Sequence, residues 1–253
     1  MIRSAVTQVA NSPVLFFGSL FLFRACLWGS IETLWPARHL PYRRLAIKDF
    51  VAHLFNVFLA VPIVLYIYDR LFAYYPLPQK FLNLPILIRI TLYLVLADFG
   101  YYWAHRLMHT RTLWRIHKWH HFPNYMYWLA GGRATIPHEF LIQTPYILAA
   151  PILEPAPWWV YTLVVIYLYL TNDWEHLNVS WGGRWLEWLI VTPRFHHIHH
   201  SSNPNHYNFN IGMVFTFWDR LFGTYLDPDT VDKKEIAFGI DDPPNPVRLI
   251  AGI

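Results

Sequence analysis

Long uncharged apolar runs, rather than alternating apolar and polar positions, dominate this chain. Residues 50–68 contain no Asp, Glu, Lys or Arg, and neither do residues 155–172. Each approaches the roughly twenty residues that a helix needs to cross the hydrocarbon core of a bilayer. Residues 4–23 form a further uncharged stretch, whose apolar part runs from Val14 to Trp28 and beyond. That part is longer than the apolar region of a secretory signal and no small-residue cleavage site follows it, so a retained helix is expected. Arg24 and Glu32 lie near its inner half, where Arg24 must snorkel or face the bundle. A fourth segment, Leu84 to about Ala104, carries Arg89 near one end and Asp98 near the other, which predicts a span whose charged positions face protein or interface. Between Phe140 and Asn172 the chain can leave one side of the membrane and return, with Glu154-Pro155-Ala156-Pro157 at the tip. The first arm, Phe140 to Leu153, is short for a full crossing and predicts a shallow or re-entrant helix.

Composition supports the bilayer as solvent. Of 253 residues, 55% are hydrophobic, 19% aromatic and only 14% charged, against about a quarter charged in soluble domains. The expected fold is all-α: an integral membrane helical bundle, one domain over residues 1–253. Arg38, Arg43, Arg44 and Lys48 follow the first segment, and Arg106, Arg111, Arg115 and Lys118 follow the Leu84 segment, whereas the loop near Pro76-Leu77-Pro78 has little net charge. The positive-inside rule then puts both basic regions in the cytoplasm and the amino terminus outside. The net charge of +4 is explained by these loops, with no basic recognition helix, so no nucleic-acid partner is expected. The single Cys26 excludes an intrachain disulfide and thiolate metal ligation. The last forty residues are more polar and end in Asp241-Asp242 and Pro243-Pro244-Asn245-Pro246, which reads as a cytoplasmic tail packed on the site.

The chemistry is carried by histidine. Nine of the fourteen histidines fall in three windows: His105/His109, His117/His120/His121, and His196/His197/His199/His200. Residues at i, i+3 and i+4 share a helix face, and imidazole is a common metal ligand. Leaving aside His197, which points off that face, the windows offer eight imidazoles. That is too many for one four-coordinate zinc, so two metals fit the count better. His105 and His109 end one span and His176 ends another, so all the ligands are expected at one membrane boundary, the cytoplasmic one. There an apolar substrate meets dioxygen and electrons. His39, His53, His197 and His206 are expected in interfacial or loop roles.

With these motifs the chain resembles the sterol desaturase and fatty acid hydroxylase superfamily. The matching residues are His105/His109, His117/His120/His121, His176 with Asn172 four residues earlier, His196/His199/His200 after Pro193, and the closing run Trp218-Asp219-Arg220-Leu221-Phe222-Gly223-Thr224-Tyr225. The likeness covers roughly residues 90–226. The first eighty residues carry none of its motifs; with the apolar runs and the polar end, the expected division is N-terminal transmembrane helices over 1–83, a histidine-motif oxygenase core over 84–226 and a tail over 227–253. The likeness implies that His105, His109, His117, His120, His121, His176, His196, His199 and His200 hold two iron ions and carry the catalysis. The expected reaction is hydroxylation or desaturation of a bilayer lipid (sterol-like, fatty acyl or related) with dioxygen. Asn172 stands where some relatives have His or Gln, and is expected to hold a water or orient His176. His138 is expected to start a helix or support a ligand, and Asp98 and Glu139 to accept hydrogen bonds behind the ligands. No dinucleotide fingerprint or c-type haem signature is present, so electrons must come from a separate donor, a ferredoxin or cytochrome with its reductase, or a pterin.

Two rival readings are a membrane zinc hydrolase and a histidine-ligated metal- or haem-binding membrane protein. The first needs an acid inside a zinc-binding run, and neither H-x-x-H-H cluster has one. The second places its ligands within spans, whereas these lie beyond the span ends.

Overall fold

The computed structural model describes residues 13–74 and 83–240. The Pro76-Leu77-Pro78 loop and the Pro-rich end from Asp241 lie outside the described residues. Within them the fold is all-α, without strands and with only two isolated bridges, Ile190 to Phe215 and Ser201 to Phe238. The long helices are α1 (Pro13–Leu34), α2 (Tyr42–Phe55) running through a π-helical turn at Asn56–Ala60 into α3 (Val61–Tyr74), α4 (Ile86–Met108), α6 (Ile136–Ala149) and α7 (Trp158–His176). Three short helices complete the set: α5 (Trp114–His121), α8 (Pro193–His199) and α9 (Phe217–Leu221). The π turn has a local cause: Pro62 follows it and has no N–H to give to the carbonyl one turn back.

Among the described residues, three helices are long and apolar enough to cross a membrane: Val14–Leu34, Tyr42–Phe72 and Ile86–Met108. Their outer faces stay apolar, with Leu22, Phe58, Leu87 and Leu96 exposed. The stretch 155–172, expected as a full span, forms most of α7, but its aromatic content and its polar end from Asn172 to His176 keep it out of that set. The short first arm of the 140–172 excursion is α6, as its length predicts, and the chain reverses near Glu154–Pro157. Helices α4 and α6 pack closely because Gly100 meets Pro145; a Cβ at Gly100 would lie 2.7 Å from the Pro145 Cβ.

Four charges inside the first and third of these spans, Arg24, Glu32, Arg89 and Asp98, are buried and turned toward protein. Arg24 makes a bidentate pair with Asp173, both contacts 2.6 Å, joining α1 to α7. Glu32 accepts from the backbone N–H groups of Trp128 (2.9 Å) and Asn178 (2.8 Å). Arg89 donates to the carbonyls of Ile152 (2.7 Å), Leu153 and Pro155 (3.1 Å), satisfying acceptors freed where α6 ends. Asp98 accepts from Val214 N (3.1 Å), Phe215 N (3.2 Å) and Trp218 Nε1 (3.0 Å). The described part of the tail packs on the histidine region, with Ser202 N bonded to Ala237 O at 2.7 Å and Phe238 against the His197 ring.

The Arg24–Asp173 pair yields a stability prediction. Asp173→Asn leaves a buried guanidinium without its counter-charge and is expected to cost about 3–5 kcal/mol, whereas the double change Arg24→Met/Asp173→Leu costs far less. Thermal unfolding of the purified protein in detergent, read from the near-ultraviolet dichroism, checks the order of the two.

Candidate metal centre

Four separate pieces of chain deliver imidazoles to one place. Helix α4 carries His105 in its last turn, with His109 as its C-cap. Helix α5 presents His117, His120 and His121 within one turn. Helix α7 ends on His176, and α8 carries His196 and His199 with His200 as its C-cap. Pro193 opens α8 at a position where its missing N–H costs nothing, and Thr192 caps it by accepting from Phe195 N. Thr192 is itself held by Glu187, which also takes a bidentate pair from Arg194.

All nine histidines read from the sequence as ligands come together, in two groups. His105, His109, His117, His121 and His199 form one, and His120, His176, His196 and His200 the other; within each group the candidate ligand nitrogens lie within 4.8 Å of one another. Each H-x-x-H-H motif is split between the groups. The α5 residues four apart, His117 and His121, serve the first, and His120 between them serves the second. The later motif contributes His199 to the first group and His196 and His200 to the second, so the groups are interlocked, with the His121 and His200 rings stacked at 4.2 Å.

The nitrogens that converge are Nε2 atoms. His117 Nε2 is 3.1 Å from Nε2 of both His105 and His121. His176 Nε2 lies 3.2 Å from His120 Nε2, 3.2 Å from His200 Nε2 and 3.3 Å from His196 Nε2. Protons do not satisfy this arrangement. The Nδ1 atoms of His105, His176 and His199 face the carbonyls of Ile211 (2.8 Å), Asn172 (2.6 Å) and Phe209 (3.0 Å). A carbonyl only accepts, so Nδ1 carries the hydrogen and, in the neutral ring, Nε2 is a bare lone pair. One lone pair on His176 therefore meets three other ring nitrogens, while His109 Nε2 and His199 Nε2 are buried with no hydrogen-bond partner. Adding protons is disfavoured too: burial first, then the neighbouring rings, hold His117, His121, His196 and His200 well below the ordinary histidine pKa. Buried lone pairs aimed at common centres fit a cation in each group, and an all-imidazole donor set suits zinc, copper, iron or nickel.

The supports behind these rings are mostly backbone. The carbonyls that orient His105 and His199 belong to residues 209–211, and that segment is braced by Asp219, which accepts from Ile211 N (2.7 Å), Gly212 N (2.9 Å) and Thr224 Oγ (2.7 Å). The closing run 218–225 thus acts on the histidines through Asp219. His138 starts α6, bonded to its N-cap Thr135, and its Nδ1 is 3.3 Å from His117 Nδ1, a supporting position as expected.

Several expectations need correction. Asp98 and Glu139 are bonded elsewhere than to the clustered histidines: Asp98 holds residues 214–218, and Glu139 accepts from Asn56 (2.6 Å) and Gln143 (3.3 Å). Asn172 orients His176 through its main-chain carbonyl, 2.6 Å from His176 Nδ1, rather than its amide, so this contact does not depend on the Asn172 side chain. His39 is exposed, but His53, His197 and His206 are buried. His197 does face away, to Leu177 O at 2.9 Å.

The acid that sequence reasoning passed over is Glu175. It is fully buried, with its oxygens 3.7 Å from His176 Nδ1 and 3.6 Å from His196 Nδ1, and both its Oε2 and His196 Nδ1 have no other partner. The signal was available: Asp173 and Glu175 are two acids at the end of an apolar helix, where an unpaired charge is expensive.

A cavity of about 640 Å³ opens beside the second group, lined by His120 and His138 and by residues of α1, α2, α3, α6 and α7.

Comparison with known proteins gives a family model, fatty acid hydroxylase, that matches residues 90–224. This interval contains all nine histidines. The ornithine lipid hydroxylase OlsE of Rhizobium tropici is 34% identical over 159 residues, 60% of this chain and 46% of that protein. Alkylglycerol monooxygenase of Homo sapiens is 29% identical over 150 residues, 59% of this chain and 32% of that protein. A Delta(7)-sterol 5(6)-desaturase of Gibberella zeae is 29% identical over 150 residues, 56% and 42% respectively. In each case the match spans less than half of the relative. No solved structure matches.

Gly131 packs directly on the His176 ring, where a Cβ would lie 2.5 Å from its carbons and nitrogen. Gly131→Ala is therefore expected to displace His176 and to remove one bound metal per chain while leaving the other, with the helical far-ultraviolet spectrum unchanged. Metal analysis of the purified variant beside the parent measures this.

Proposed function

The chain belongs to the fatty acid hydroxylase family, and from that premise we propose that it is a membrane-bound diiron oxygenase that hydroxylates or desaturates a lipid. The observation that supports this most strongly is the gathering of nine imidazoles, eight of them on buried residues and His109 half-buried, into two interlocked groups beside a cavity. The names of its relatives describe hydroxylation of an ornithine lipid, monooxygenation of an alkylglycerol and desaturation of a sterol.

In this reading His105, His109, His117, His121 and His199 hold one iron and His120, His176, His196 and His200 the other. When bound, the iron pair supplies the activation of dioxygen that organic side chains lack. Hydroxylation places one oxygen atom in a C–H bond and releases the other as water, consuming two electrons and two protons; desaturation removes two hydrogens for the same input and releases two waters. The residues of the chain do the rest. The carbonyls of Ile211, Asn172 and Phe209 fix which ring nitrogen faces the centre, Glu175 puts a buried carboxyl group 3.6 Å from His196 Nδ1 and 3.7 Å from His176 Nδ1 behind the second group, and the apolar walls keep water from the reacting carbon.

The basic residues after the first and Leu84 segments favour the cytoplasmic side for the histidine region, within reach of a soluble electron donor such as a ferredoxin or cytochrome with its reductase. Residues 84–226 form the oxygenase core in this scheme, with residues 1–83 supplying membrane helices and a wall of the cavity.

The test has two parts. Purified protein is expected to contain two irons per chain, where one zinc supports a hydrolase and a Soret band a haem protein. Lipid profiles of cells with and without the gene are expected to differ by an added oxygen or a lost pair of hydrogens. His120→Ala or His199→Ala should abolish that difference while membrane insertion persists; retained turnover in both variants removes these residues from the ligand set.

A further inference from the structure

We propose that the segment from Trp181 to Leu189, between α7 and α8, is a membrane anchor: a loop outside the spans that lies in the headgroup layer and seats the histidine end of the protein on the lipid surface.

The loop is built inside out. Its one acid, Glu187, is buried, where it accepts from Thr192 Oγ (2.6 Å) and from the Arg194 guanidinium (2.7 and 2.6 Å). Its carbonyl accepts from Thr216 Oγ (2.8 Å) and Arg220 Nη2 (2.9 Å), and Leu189 O accepts from Thr216 N (3.1 Å). With the acid and the main chain held inward, the neighbouring apolar side chains stand outward. Trp185 is 91% exposed, the most of any large hydrophobic residue among those described, and Leu186, Trp188 and Leu189 are exposed with it. A loop that faces water does the reverse, because a contiguous apolar patch is costly there.

The patch continues the outer surface of the spans on both sides. On one side Trp181 packs on Trp35, the exposed residue just past the end of α1, with ring centroids 5.6 Å apart. On the other, Arg220 of α9 lies over the Trp188 ring at 4.8 Å; the exposed Leu221 follows it, and then Phe222 packs on Trp103 of α4 at 4.8 Å. Trp103 is itself exposed, on the apolar face that α4 presents from Leu96 to Leu107. A band of apolar and aromatic side chains therefore runs from the end of α1 to the last turns of α4, the end of each span that lies nearest the histidines.

Composition says what covers the band. Trp is enriched where hydrocarbon gives way to headgroups, since its ring is apolar and its N–H needs a polar partner. The one cation of the loop, Arg184, is exposed beside Trp185, where lipid phosphates would meet it. A soluble protein covering this band would have to follow α4 into the hydrocarbon, whereas lipid already lies there.

The anchor bears on the metal centre by a short path. Thr192, held by Glu187, caps α8, which carries His196 and His199 and ends at His200. Seating the loop in the headgroup layer sets the depth of that helix, so the histidines stand at the lipid boundary rather than above it.

The experiment places a nitrobenzoxadiazole fluorophore on single cysteines in a Cys26→Ser background, with the full-length protein in vesicles of phosphatidylcholine and phosphatidylglycerol. Trp185→Cys and Trp188→Cys are compared with Thr230→Cys, exposed near the carboxyl end, and with Leu22→Cys, exposed on the first candidate span. At the two loop positions aqueous iodide is expected to quench at least about fivefold less than at Thr230→Cys, and a lipid with a nitroxide near the head of its acyl chain at least about fivefold more. Iodide quenching equal to that at Thr230→Cys overturns the anchor. So does shielding from both quenchers, the result that a second copy or another protein on the loop gives. The replaced side chains are exposed, so the fold is expected to persist, with an unchanged far-ultraviolet dichroism; Leu186→Cys takes the place of a variant that fails this check. Leu22→Cys keeps the membrane setting separate: iodide quenching there sinks that setting, whereas lipid quenching there beside iodide quenching at Trp185→Cys sinks the anchor alone.

Discussion

Nine imidazole rings packed with their lone pairs toward two common points are the constraint on which the rest of this structure depends. Lone pairs 3.1–3.3 Å apart gain nothing from one another, and a hydrogen on one ring can satisfy only one neighbour. A bound cation turns that conflict into the strongest contacts in the molecule. Until it binds, the rings must be held by everything around them. The carbonyls of residues 209–211, the brace from Asp219, the Thr192 cap and Glu187 are parts of that holding, and they explain why so much polar structure is buried at the end of an apolar bundle.

The same need accounts for the charges within the spans. Arg24, Glu32, Arg89 and Asp98 are expensive in hydrocarbon, yet each ties a span to a segment that borders the histidines: Arg24 to α7, Glu32 to the main chain at Trp128 and Asn178, Arg89 to the end of α6, and Asp98 to residues 214–218. Apolar contacts between lipid-exposed helices are nondirectional and leave helix register loosely set. Paired charges and multidentate hydrogen bonds set it to within a fraction of an ångström, which is the tolerance a ligand cage requires.

The four-histidine group and the cavity share a few residues. His120 belongs to the four-histidine group and also lines the cavity, and Asn172 both orients His176 and faces the cavity. The π turn at Asn56–Ala60, imposed by Pro62, lets the second helix present Asn56 to Glu139 and still run on as a membrane-length helix. A change in this wall is therefore felt in the ligand set as well as in the pocket.

Much of this was legible in the chain itself. Uncharged runs of about twenty residues marked the membrane-length helices because a bilayer leaves little choice of structure for them, and the i, i+3, i+4 spacing marked the histidines that converge because a helix leaves little choice of direction. The short first arm of the 140–172 excursion was legible from length alone, whereas α7 was read as a fuller span than its Trp, Tyr and acidic residues allow. What spacing cannot carry is partnership across the fold. It does not say that His120 leaves its helical neighbours to join His176, His196 and His200, that Asp98 serves residues 214–218 while Glu175 serves the rings, or that Arg24 is committed to Asp173. The sequence by itself determined the membrane setting, the all-helical class and the identity of the histidines, since these follow from local periodicity and composition. Only the tertiary structure decided how the histidines divide and which helices wall the cavity beside them, because those depend on the relative register of helices that are far apart in the chain.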